Sequence, residues 1–301
     1  MSSRRSQLAG ALLDPASRAW WRAAGRRVDL EGEHAWLQAP TSSASLVGDT
    51  WLAQEAERLG GRVTEGRADA GLMADMAALD GPGFAASDLR AEVRDFYEHT
   101  ASWRMEVWTG WQPLFWPGGE LVSRLFGRRV GQLALPMRPL DVARGMDSRV
   151  SVITDRHGAQ QAAGWLRTLR STGEYVYSGC YSHRRLPGSD RPSVHVAFPL
   201  EHGNVQVFLR PEVGPGGSLV LRSPSRAFGG DGCYVTVRHR GRTFAARAPV
   251  HERFHVHVDD EGVLRTDHHL SLWSARAVSL HYRLERLAPP RATPGVAPSG
   301  R

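Results

Sequence analysis

The sequence predicts an α+β fold: a helical, Trp-rich N-terminal part packed on a large antiparallel meander sheet, strongly curled or closed as a barrel. Three observations lead there. From Val150 onward, apolar residues recur with period two in short runs separated by turn signals rich in Gly, Pro, Asp and Ser. Before Gly145 the apolar spacing suits helices, with capping residues ahead of them and glycines behind. Hairpin-length connections make neighbours in sequence neighbours in space, and so long an antiparallel sheet is expected to curl or close.

Taken in order, residues 1–48 read as a partly ordered arm, with SRAWWRAA at 17–24 able to form two helical turns anchored by Trp20 and Trp21. Residues 49–145 form the expected helical region. Asp49 suits an N-cap for TWLAQEAERL, and Gly60-Gly61 a stop. A second helix is expected over Ala70 to Leu79. Ser87 would cap a third, DLRAEVRDFYEHT, whose Leu89, Val93, Phe96 and Tyr97 share one face. Segment 103–126 then gathers Trp103, Trp108, Trp111, Phe115, Trp116 and Phe126, and its prolines divide it into two short helical pieces. These rings suit a cover over the sheet, a pocket wall, or shallow docking into a membrane interface.

Pro136 and Pro139 bracket a connector to the antiparallel β domain, 146–287. Strands are expected near 150–154, 161–170, 174–182, 192–198, 204–210, 218–222, 232–238, 242–248, 252–258, 263–273 and 277–286. Residues 288–301 (APPRATPGVAPSGR) read as a disordered tail.

Composition excludes several chemistries. The formal charge is +7, yet the chain contains no lysine, so all of its basic side chains other than histidine are arginine. A phosphate-binding P-loop and a pyridoxal phosphate Schiff base both need that lysine. No Gly-x-Gly-x-x-Gly follows a strand and no Gly-x-Ser-x-Gly elbow is present. Isoleucine occurs only at Ile153 and asparagine only at Asn204, which points to GC-rich coding and makes the arginine excess partly a codon effect. The basic pairs lie on separate elements, so a nucleic-acid partner is not expected. Cys180 and Cys233 suit buried free thiols. The N-terminal apolar run, cut by Asp14 and Pro15, does not suit a signal peptide, and no stretch has the length of a membrane span. A cytoplasmic location follows as the expectation, with peripheral membrane contact through 103–126 as an alternative.

Two clusters could carry chemistry. In HERFHVHVDDEGVLRTDHHL, His255 and His257 share one face of a strand. A turn at Asp259–Gly262 would set His268 beside them, giving three imidazoles for zinc, with Asp267 or His269 as substitutes if a bulge shifts the register. The competing reading is the polar outer face of a hairpin. In YVYSGCYSHRR, Tyr175, Tyr177 and Tyr181 alternate on one face and could line a ligand site or simply pair across strands.

On FYEHTASWRMEVW, QLALP, GMDSRV, WLRTLRSTGEYVYSG and RFHVHVDDEGVLRTDHHLSLW, the chain resembles uncharacterised proteins of actinobacteria from about residue 90 to 287. That resemblance implies no activity, cofactor or catalytic residue. The leading functional expectation is non-enzymatic binding of a small apolar or amphipathic ligand in a closed apolar pocket of several hundred cubic ångströms. Tyr175, Tyr177, Tyr181, Trp108, Trp111, Phe115 and Trp116 would line it. No cofactor is favoured. The alternative is a zinc-assisted hydrolase built on His255, His257 and His268.

Overall fold

In the computed structural model, residues 17–42, 48–111, 145–173, 175–224 and 227–287 are described, with the backbone alone for 109–111. The protein is mostly antiparallel sheet. Three strands come from the N-terminal part: β1 (Arg26–Val28), β2 (Val63–Thr64) and β3 (Trp103–Trp111). Eleven more follow: β4 (Met146–Thr154), β5 (Gln160–Leu169), β6 (Tyr175–Arg185), β7 (Pro192–Leu200), β8 (Gly203–Gly214), β9 (Ser218–Arg222), β10 (Gly232–His239), β11 (Arg242–Ala248), β12 (Val250–Val258), β13 (Leu264–Leu272) and β14 (Ala275–Arg286). Each of these eleven overlaps a strand expected from period-two alternation.

The strongly curled or closed barrel is the expectation that fails. The sheet is open, running β2-β4-β5-β6-β7-β8-β9-β12-β13-β14-β3, with a branch of β10, β11 and β1 attached at β8. Closure would require β4 to pair with β14. The free edge of β4 is instead taken by β2, and that of β14 by β3, and these two end strands do not pair with each other. The simple meander also breaks. Gly203–Phe208 of β8 pair with β10, whereas Arg210–Gly214 pair with β9, so one long strand serves two ladders. Nine residues separate β9 from β10, too many for a tight hairpin, and the chain uses them to return beside β8.

The helical expectations are met in part. Helices cover Trp51–Arg58 and Ala91–Glu98, but only Met76–Leu79 of the expected 70–79 helix is helical, as a single 3-10 turn. Asp49 and Ser87 do not cap by side chain; Asp49 instead accepts from Arg149 at 2.7 Å and from Tyr175 at 3.0 Å. The larger correction concerns Trp103–Trp111, which is a strand along β14 and not a helix. Trp103, Met105 and Val107 alternate with Arg104, Glu106 and Trp108, and an edge position on a sheet satisfies that period. The rest of the Trp-rich segment, with Phe115 and Trp116, and the tail 288–301 lie outside the described residues.

One cluster of buried side chains joins the 3-10 and helical segment Ala70–Tyr97 to both ladders, through Trp165, Val196 and Leu209 on one side and Leu221, Val256 and Leu284 on the other. The outward face of β5 makes a second cluster, where Leu166 meets Trp51 and Leu52. Both cysteines are buried free thiols.

Candidate functional site

Between the two ladders lies a cavity of about 180 Å³, lined mainly by apolar side chains from β3 to β8 and β12 to β14 and from the helix Ala91–Glu98. It is smaller than the sequence suggested, though larger than a cavity of ~150 Å³ that takes up benzene. Strand parity places its lining. Trp165 and Arg167 are two apart on β5 and point in together. A bulge opposite Arg167 and Thr168 turns both Val176 and Tyr177 inward. That bulge sends Tyr175 to the opposite face, where its hydroxyl meets Asp49. Tyr177 and Tyr181 remain in the cavity wall with their hydroxyls 2.6 Å apart.

Arg167 is the unusual member. It is 8% exposed, and its Nε has no hydrogen-bond partner. Among the described residues no carboxylate forms an ion pair with it. Its guanidinium carbon lies 5.9 Å from the Trp165 ring centroid. Burial lowers its pKa from the ordinary value, but an arginine stays charged in a protein. Burial also raises the phenol of Tyr282 to about 12, and those of Tyr177 and Tyr181 upward, so all three stay neutral, and one proton of the Tyr177–Tyr181 pair is taken up by the bond between them.

Glu252 and His268 form a polar pair in the same cavity, whose lining also includes Thr266. His268 Nε2 lies 2.9 Å from Glu252 Oε2, and the His268 ring stacks on Phe254 with centroids 3.7 Å apart. Arg167, Glu252 and Tyr282 went unmarked in the sequence. Arg167 sits in a strand apolar on both faces, so no break in pattern announces a charge turned inward.

The expected imidazole trio divides between two faces. The ladder pairs Val258 with Leu264, His257 with Arg265, His255 with Asp267, and Phe254 with His268. Compared with the expected turn, β13 is offset by one residue, which moves His268 inside and leaves Asp267 beside His255. On the outer face, the rings of His255 and His257 stack at 4.5 Å. One donor atom each from His255, His257 and Asp267 lies within 4.8 Å of the others. Burial, then the neighbouring His257, push the His255 pKa below its ordinary value. Trp108 is 52% exposed and does not line the cavity. The side chain of Trp111, with Phe115 and Trp116, lies outside the described residues.

No protein-family model matches the chain, and no solved structure matches it. Over 223 residues it is 26% identical to a Bacillus subtilis (strain 168) protein named uncharacterized membrane protein YndJ. The aligned part covers 73% of this chain and 39% of that protein, so the chain spans well under half the relative's length. This agrees with the uncharacterised standing of the expected kin, while the relative's Bacillus source does not show the actinobacterial origin. Among the described residues no helix is long and apolar enough to cross a membrane.

Proposed function

We propose that the cavity binds a small amphipathic molecule whose acidic group meets Arg167, without catalysis. The carrying observation is a buried guanidinium with a spare donor inside an apolar enclosure. Leaving such a charge unpaired costs several kcal/mol, and an anion delivered by a ligand would offset that cost. Tyr282, and whichever hydroxyl of the Tyr177–Tyr181 pair is not donating to the other, can donate to the same anion. The apolar walls suit a single ring or a short chain, and the Glu252–His268 pair offers a polar contact for a second group.

Benzoate and benzamide test this, because they share a shape and differ in charge. Calorimetric titration of the full chain should show benzoate binding about tenfold or more tighter, the scale of a charge-assisted hydrogen bond. Arg167→Met should erase that preference. Equal binding of the two compounds, no binding of benzoate, or a preference that survives the substitution would overturn the reading.

A further inference from the structure

We propose that His255, His257 and Asp267 form a binding site for a single divalent transition-metal ion, zinc by ligand chemistry, on the outer face of the β12–β13 hairpin. The site does not depend on the cavity reading, since strand alternation puts it on the opposite face from Glu252, Phe254 and His268.

The backbone brings the ligands together. His255 and His257 are two apart on β12, and Asp267 is the direct cross-strand partner of His255. Directly opposed residues hold their Cβ atoms roughly 5 Å apart. The stacked imidazoles, tilted by only 17°, present their edges in parallel. In a tetrahedral zinc site, donors about 2.0–2.1 Å from the ion stand roughly 3.3 Å from one another. The observed donors all lie within 4.8 Å of one another, and a bound ion would draw them in to that spacing.

Each ligand also has a second contact of the kind that orients metal ligands. His255 Nε2 is 3.1 Å from Ser218 Oγ, and His257 Nδ1 is 3.4 Å from the carbonyl oxygen of His255. Asp267 Oδ1 is 2.6 Å from His281 Nδ1, on the next strand. Arg265, the cross-strand partner of His257, is drawn away to Asp259, with Nε 2.7 Å from Oδ2. Two neutral imidazoles and one carboxylate suit zinc and leave a fourth position for water.

The test uses the full chain, stripped with chelator and titrated with zinc chloride, with stoichiometry read by native mass spectrometry and affinity by calorimetry. Cobalt should give the intense visible bands of a tetrahedral site. One ion per chain is expected. His257→Ala and Asp267→Asn should each weaken zinc binding by about 100-fold or more, and His281→Gln by about tenfold. His268→Gln, inside the cavity, should leave zinc binding unchanged. Coincident metal-free melting curves would establish that the variants are folded, and Asp267→Asn is close enough in shape to serve if His257→Ala is not. Three results would overturn the site: no uptake by the parent, full zinc binding by both folded ligand variants, or loss of zinc in His268→Gln.

Discussion

Replacing Arg167 with methionine should make the empty protein more stable. Arg167 is 8% exposed, its Nε lacks a partner, and it has no ion pair among the described residues. Methionine keeps much of the length and the apolar stem while removing the charge. Apolar replacement of buried ionic groups has stabilised proteins by ~1–4 kcal/mol. An arginine without a carboxylate should fall inside that range, so we expect a gain of about 2 kcal/mol. Urea unfolding followed by far-ultraviolet circular dichroism would read it as a higher midpoint with an unchanged slope. Saturating benzoate should then reverse or close the gap, because a ligand at a hundred times its dissociation constant adds roughly 2.7 kcal/mol to the form that binds it. A methionine variant less stable than the parent without ligand would mean that the charge is already compensated, and the case for an anionic ligand would fail.

Two further predictions concern the frame around the cavity. His195 is fully buried, with Nδ1 2.9 Å from Ser182 Oγ and Nε2 2.9 Å from Gln206 Oε1, and burial lowers its pKa from 6.5 to about 3. Because the folded state holds this ring neutral, its contribution is fully present above pH 6.5 and is lost as pH falls toward 3. From the unfolded pKa down to pH ~5 that loss is about 2 kcal/mol, at about 1.36 kcal/mol per unit. The His195 imidazole should still be neutral by NMR at pH ~5, and a ring that titrates above that point would contradict the assignment. Gly164 packs under the helix Trp51–Arg58, where an added Cβ would lie 2.4 Å from Leu52 Cδ2. Gly164→Ala should cost about 1–3 kcal/mol by overpacking, measured by urea unfolding. Leu52→Ala in the same chain should recover part of it, and independent costs for the two changes would show that they do not touch.

Strand positions were legible because half-buried strands write their period into the sequence, as SVHVAFPL and RFHVHV do. The edge strand Trp103–Trp111 carried the same period, but its neighbouring helix and the prolines after it favoured a helical reading. What the sequence did not disclose was pairing. The long β9–β10 connection was a visible sign against a simple meander, whereas the division of β8 between two ladders depends on tertiary packing and leaves no local mark. The cavity was partly legible: Tyr177 and Tyr181 line it, but the bulge that expels Tyr175 cannot be read from alternating residues. Asn204, the chain's sole asparagine, is 2% exposed and accepts at Oδ1 from both Thr236 and Gln206. That network joins β8 and β10 to the carbonyls of Ala39 and Pro40, so a residue scarce through coding is retained where an amide is needed.

The two candidate sites share one hairpin, and its loop decides which residue serves which. Five residues, Asp259 to Val263, separate the paired ends Val258 and Leu264. Asp259 sets that length by accepting at Oδ1 from the backbone N–H groups of Glu261 at 3.0 Å and Val263 at 2.8 Å. Gly262 supplies the positive φ of 78° that the return requires. A loop one residue shorter would slide β13 by one position and exchange its faces, since side chains alternate with period two. His268 would leave the cavity for the imidazoles of β12, and Asp267 would bring a second carboxylate toward Glu252. Asp259 touches neither site. Its hold on the loop nevertheless gives the interior a Glu–His pair and the exterior a His–His–Asp set, so the chemistry of both faces follows from the conformation of one turn.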